Sequence, residues 1–235
     1  MKPGKLYLLP TPIGDRPVYD VLPATNREVM ASLDYFIVEN VRTARRFLSR
    51  ASIGRPIEEL RFAELNEHTR PEEWERLLAP VLAGTEAGLM SEAGVPGVAD
   101  PGADVVALAH RRGVEVVPLV GPSSIILAMM ASGLNGQSFA FNGYLPVKQP
   151  ERGKAIRFFE KRARSEHQSQ LFIEAPYRNV KLFQDFLACC GDQTRLCVAV
   201  DLLQPDQRIA THSIAQWRTL PLPDIQKRPA IFILG

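Results

Sequence analysis

Short apolar runs, each halted by a turn rich in glycine, proline or small polar residues, recur along the first half of this chain. Leu6-Tyr7-Leu8-Leu9 stops at Pro10-Thr11-Pro12-Ile13-Gly14, and Ala87-Gly88-Leu89-Met90 stops at Ser91-Glu92-Ala93-Gly94-Val95-Pro96-Gly97. Tyr35-Phe36-Ile37-Val38 runs into a basic segment at 41–50. Runs of this length without polar alternation read as strands buried on both faces. The intervening spacing predicts helices over 23–33, 41–50, 71–83 and from Gly97 to about Arg112, with further strands at 60–63 and 114–118. Strands alternating with helices of this length imply right-handed crossovers and a parallel sheet.

The pattern changes after Pro118-Leu119-Val120-Gly121-Pro122, a Pro/Gly junction that serves as a domain boundary. A helix at 123–131, a strand at 139–143, a polar helix at 151–164, a strand at 171–174 and a helix from Arg178 to about Cys189 follow. The strands at 196–200, 208–211 and 230–234 lack crossover helices between them, so the second sheet is expected to be mixed. The expectation is an α/β protein of two α/β domains, 1–118 with a parallel sheet and 122–235 with a mixed one. The cationic run from Arg152 to Arg164 reads as a solvated helix face, with Phe158 and Phe159 on its buried side.

Several function classes lose support at this level. A formal charge of +2 does not single out a nucleic-acid binder, although local clusters exist at Arg42, Arg45 and Arg46 and again from Arg152 to Arg164. Cys189, Cys190 and Cys197 have no metal-ligand spacing, so no metal is expected, and an odd number of cysteines suits a reducing cytoplasm. No stretch approaches the roughly 20 apolar residues of a membrane helix. The chain reads as a soluble cytoplasmic protein.

Ligands of open α/β sheets collect at the carboxyl ends of strands. The loops Pro10–Asp15, Ser91–Gly97, Val120–Ser124 and Glu174–Arg178 all fall at such ends and mix Gly or Pro with small polar residues. Loops of this kind let main-chain groups approach a ligand closely. They suit a neutral or zwitterionic ligand bearing an adenine and a ribose. A triphosphate fits poorly, because GxxxxGK[ST] is missing, and so is the GxGxxG of dinucleotide binders.

These loops, in this order, resemble those of the ribosomal RNA small subunit methyltransferase I family, within the tetrapyrrole-methylase superfamily. Leu6 to Gly14 is similar to its opening strand and loop, and Glu39-Asn40-Val41-Arg42-Thr43 to its Glu-Asp-Thr-Arg motif. Asn66-Glu67 falls at its His-Asn-Glu, and Ser91 to Pro96 with Asp100-Pro101-Gly102 resembles Ser-Asp-Ala-Gly-Thr-Pro and Asp-Pro-Gly. Val120 to Ser124 resembles Pro-Gly-Pro-Ser-Ala; Ser132-Gly133-Leu134 and Gly143-Tyr144-Leu145-Pro146 continue the register, and Glu174 to Arg178 resembles Glu-Ser-Pro-His-Arg.

The resemblance implies a homodimer of two-domain subunits that bind S-adenosyl-L-methionine in the cleft between domains and methylate a ribose 2′-hydroxyl of ribosomal RNA without a metal. Cofactor contacts carry over to Ile13, Glu92, Val95, Ser123, Ser124, Ala175 and Ala230. Glu39, Arg42, Glu67 and Arg178 carry over as catalytic candidates, Glu39 and Glu67 (with Glu174) as proton acceptors and the arginines as holders of a phosphate or carboxylate. Asn40, Glu92, Val120 and Gln204 depart from the family's residues, and the chain reads as a short form without the C-terminal helical segment. Two alternatives stay open: a methylase of a tetrapyrrole or other small molecule, and a non-catalytic S-adenosylmethionine-binding protein.

Overall fold

The computed structural model describes residues 2–66 and 68–235. The chain divides after Ser123 into two compact units. The first runs β1 (Lys5–Leu9), α1 (Thr25–Ser32), β2 (Tyr35–Val38), α2 (Val41–Arg50), β3 (Arg61–Glu64), α3 (Pro71–Leu82), β4 (Ala87–Met90), α4 (Ala103–Arg111) and β5 (Glu115–Pro118). Its five strands lie in the order β3-β2-β4-β1-β5, and every pairing is parallel.

Burial explains the unbroken apolar strands. Leu6, Ile37 and Leu89 point to one face, under Leu77, Leu78 and Val81 of α3 and Val105 and Leu108 of α4. Leu9, Phe36, Val38 and Met90 point to the other, under Met30 of α1, Leu33 just past its end, and Ala44 and Leu48 of α2. Fully burying a side chain of this size contributes about 1.5–3 kcal/mol, so a polar residue on either face of β2 or β4 would be costly. Register then positions the chemistry. Met90 pairs with both Leu9 and Val38, so β1, β4 and β2 end in one row.

The second unit comprises α5 (Ser124–Ala131), β6 (Phe139–Tyr144), α6 (Glu151–Ser165), β7 (Ser169–Ile173), α7 (Asn179–Cys189), β8 (Arg195–Val200), β9 (Arg208–Ser213), α8 (Ile214–Trp217) and β10 (Ala230–Leu234). The order is β6-β7-β10-β8-β9; β6 and β7 are parallel and the remaining pairs antiparallel, so the sheet is mixed. Phe172, Val198 and Phe232 pack beneath Ile156 of α6, Phe183 and Phe186 of α7 and Trp217 of α8. Leu171, Cys197, Ala199 and Ile233 meet Ile125, Ala128 and Met129 of α5 on the opposite face.

Three findings depart from or add to the sequence reading. Helix α8 was not anticipated, although Ser213 and Gln216 form a capping box: the Gln216 N–H donates to Ser213 Oγ (3.2 Å) and the Ser213 N–H to Gln216 Oε1 (2.9 Å). Arg152 is not on a solvated face but buried, 1% exposed. Phe158, expected on the inner side of α6, is 57% exposed, while its neighbour Phe159 packs on the core. The cysteines are packing residues at and beyond the end of α7 and in β8. Burial foremost, with Glu160 nearby, pushes the Cys190 thiol up to about 12. Among the described residues no helix is long and apolar enough to cross a membrane.

Candidate functional site

The aligned ends of β1, β4 and β2 gather the first part of the site. Beyond β1, Thr11 forms an isolated antiparallel bridge with Gly94: the Thr11 N–H donates to the Gly94 carbonyl (2.8 Å), and the Gly94 N–H to that of Thr11 (3.1 Å). Gly94 has φ +79°, a backbone conformation in which an L side chain is strained. The bridge thus staples the post-β1 loop to the post-β4 loop and leaves their main chain bare of side chains at that point.

The start of α2 closes the third side. Asn40 is its N-cap, its Oδ1 accepting from the N–H groups of Arg42 (2.9 Å) and Thr43 (3.2 Å). Thr43 Oγ1 donates to Glu92 Oε1 at 2.8 Å and so ties the helix to the post-β4 loop. A small cavity of about 20 Å³ lies here, lined by Thr11, Glu39, Asn40, Thr43, Ser91 and Glu92 with Phe47 and Met90 among its apolar members. The carboxylates of Glu39 and Glu92, set beside the capped start of α2, make this edge suited to a ligand carrying both hydroxyls and positive charge.

Burial foremost pushes the Asp100 carboxyl above its usual range; the Ser91 hydroxyl opposes the shift and the charge of Glu92 adds to it. The chain leaving β5 is held close to the same loops. A Cβ on Gly121 would lie 2.2 Å from Pro10 Cβ, so only glycine allows this approach. Asn26 Nδ2 donates to the Val120 carbonyl (2.9 Å) and anchors the segment from the other side.

In the second unit the loop after β7 is organised by one carboxylate. Glu174 Oε1 accepts from Arg178 Nε (2.9 Å) and Nη2 (2.6 Å) and from the Ala175 N–H (2.7 Å). Its Oε2 accepts from Arg152 Nη2 at 3.3 Å, and Arg152 also reaches Asp185 Oδ2 (3.2 Å) and the Pro146 carbonyl (2.6 Å). Glu174 is therefore committed to two guanidinium groups and a backbone amide. Both oxygens of Glu174 are thus engaged in holding this loop, which gives the side chain a structural task. The Arg178 guanidinium also sits over the Tyr177 ring, 4.9 Å from its centroid.

The sequence-derived candidates fall into separate groups. Ile13, Glu39, Glu92 and Val95 lie at the carboxyl edge of the first sheet, with Arg42 exposed in the first turn of α2 and Ser123 beyond β5. Ser124 opens α5, Ala175 and Arg178 belong to the Glu174 loop, and Ala230 starts β10, buried and paired with Val200. Glu67 lies outside the described residues; the adjoining Asn66 forms a local turn, its Oδ1 accepting from the His68 N–H (3.0 Å). Sequence reasoning gave no role to Thr11, Thr43 or Arg152. The Asn-x-x-Thr spacing ahead of a helix could have revealed the cap, whereas nothing local marks Arg152 as buried.

No family model matches the chain. Among curated relatives, the ribosomal RNA small subunit methyltransferase I of Vibrio cholerae is 32% identical over 231 residues, covering 97% of this chain and 75% of that one. The Escherichia coli protein of the same name is 32% identical over 201 residues, 85% of this chain and 65% of its own. Among solved structures, the methyltransferase CobJ superposes with a TM-score of 0.65 at 14% identity, covering 99% of this chain and 94% of that one. Uroporphyrin III C-methyltransferase from Thermus thermophilus gives 0.58 at 17% identity, with 99% and 97% covered. These two likenesses concern the fold, which is that of the tetrapyrrole methylases. The identity to the curated relatives, sustained along nearly the whole chain, shows that this protein belongs to the ribosomal RNA small subunit methyltransferase I family.

Proposed function

We propose that this protein transfers the methyl group of S-adenosyl-L-methionine to a ribose 2′-hydroxyl of ribosomal RNA in the cytoplasm. The observation that carries the reading is the stapled carboxyl edge of the first sheet, Thr11–Gly94 and Thr43–Glu92, in a chain 32% identical to the Vibrio cholerae enzyme. The residues fit the cofactor: loops kept bare by Gly94 and Gly121 can offer main-chain groups, and Glu39 and Glu92 complement positive charge. The cofactor supplies an electrophilic methyl on a sulfonium, for in-line attack.

The chain's own part is alignment and proton removal. In this proposal Ile13, Glu92, Val95, Ser123, Ser124, Ala175 and Ala230 contact the cofactor, largely through the main chain. With Glu174 committed elsewhere, the 2′-hydroxyl proton passes to Glu39 or Glu67. Arg42, exposed and without an ion-pair partner among the described residues, holds an RNA phosphate. Arg178 orients a second one through the N–H groups that Glu174 leaves available. A homodimer is supported by α5, where Ile126 (50% exposed) and Met130 (77%) present an apolar face one turn apart.

Transfer of labelled methyl to small ribosomal subunits, to free ribosomal RNA and to a tetrapyrrole tests the proposal. Label in RNA is expected. Label in the tetrapyrrole alone, or in nothing despite cofactor binding, would replace it with one of the two alternatives. The tetrapyrrole reading rests only on likeness of fold, which does not carry substrate.

A further inference from the structure

We infer that the outward face of α6 is an RNA-contact surface in which Phe158 stacks on an unpaired base and Lys154, Arg157, Lys161 and Arg164 hold the flanking phosphates. The inference rests on the proposed RNA substrate and adds a second place where that substrate is gripped. At 100° per residue these positions share one arc of the helix, and all are exposed. None of the four cations makes an ion pair or side-chain hydrogen bond among the described residues. Arg162, off that arc, is instead neutralised by Glu166 at 3.0 Å. Glu160, about one turn from both Arg157 and Arg164, is turned aside, accepting from the Gly191 N–H (2.7 Å) and the Thr194 hydroxyl (2.5 Å).

Phe158 is the unusual member. A phenylalanine with 57% exposure in the middle of a packed helix forgoes burial that Phe159 obtains one residue later. Its ring is nevertheless held. Phe158 meets Phe159 edge-on at 5.2 Å, and Phe159 meets the core ring of Phe172 edge-on at 5.1 Å. A rigid aromatic surrounded by unpaired cations is what single-stranded nucleic acid recognition requires: a π face for a base and charge for the backbone. A protein partner would have to bring several acids and a pocket for one ring; a polyanion with exposed bases supplies both along its length. The helix is also registered to the candidate site, because Arg152 in its first turn is bonded to Glu174. Phe158, six residues on, lies about 9 Å further along the axis.

The test uses the full chain and small-subunit ribosomal RNA, with binding followed by anisotropy across a salt series and methyl transfer measured in parallel. Phe158→Ala should weaken RNA binding by about 5- to 100-fold and raise KM for RNA with kcat unchanged, and Phe158→Trp should restore both. The double variant Lys154→Ala/Lys161→Ala should lower the slope of log affinity against log salt by about 1.4 to 1.8. Unchanged affinity in Phe158→Ala with its melting temperature intact overturns the inference, as does equal competition by poly-glutamate, which would mark an acidic protein site. Wild-type protein that binds RNA through α6 but transfers no methyl to it would sink the proposed reaction and leave this surface standing. Methylation of RNA with wild-type KM in both variants would do the reverse.

Discussion

Arg152 and Glu174 are paired at 3.3 Å with only 2% and 1% of their side chains exposed. The pair joins the first turn of α6 to the loop after β7, and through Glu174 it reaches both the Ala175 amide and Arg178. A cofactor or RNA contact made by that loop would depend on a cation that touches neither ligand.

Removing the Arg152 guanidinium while keeping its bulk strands two buried carboxylates, Glu174 and Asp185. Arg152→Met should destabilise the protein by about 3 kcal/mol, the low end for a broken buried pair because Arg178 and Lys181 still serve the two acids. Urea unfolding checks this; a loss under about 1 kcal/mol would show that the pair has little structural weight.

Among the described residues, the exposed Arg42 side chain forms no hydrogen bond or ion pair. Arg42→Ala should therefore leave the melting temperature and cofactor affinity nearly unchanged and reduce methyl transfer to RNA by about 100-fold, the scale of a misaligned substrate. Calorimetric titration in which cofactor binding is lost would refute the role.

Asn40 caps α2 with its side-chain oxygen, a function that needs an acceptor but not a charge. Asn40→Ala should cost about 1 kcal/mol. Asn40→Asp should keep the cap and gain a few tenths from the helix dipole. If both variants unfold at the wild-type urea midpoint, the cap is energetically idle.

Gly121 lies against Pro10 with no room for a methyl group. Gly121→Ala must displace the post-β1 loop, at about 1–3 kcal/mol of stability. If that loop contacts the cofactor, affinity for it should fall about tenfold. A destabilised variant that binds S-adenosylmethionine normally would separate the loop from the cofactor site.

Burial raises the Asp100 carboxyl above its ordinary value of 3.8. The folded state then holds the proton more tightly than the unfolded one. The contribution to stability is complete below 3.8 and is lost as pH rises through the raised value. Asp100→Asn should flatten that part of the stability curve and gain on the wild type towards neutrality. Melting temperatures of the two proteins that run parallel from acid to neutral pH would rule this out.

The order of elements was legible in the chain because each strand carries its own signature. Unbroken apolar runs such as Tyr35–Val38 and Ala87–Met90 announce strands covered on both sides, and the Gly/Pro turns after them announce where main chain is left open to a ligand. The motifs from Pro10 to Arg178 likewise identify the family from residue order alone, since that information is one-dimensional. What the sequence could not determine was which way a side chain on α6 points and whom it meets. Arg152 and Phe158 exchanged their expected places because burial of a cation depends on acids at positions 174 and 185, and exposure of a ring depends on Phe159 already filling the space over Phe172. The same holds at the first sheet, where Thr43 and Glu92 are separated by forty-nine residues and meet only because β2 and β4 pair in register. Local pattern dictates elements; contacts between distant residues exist only once those elements are packed.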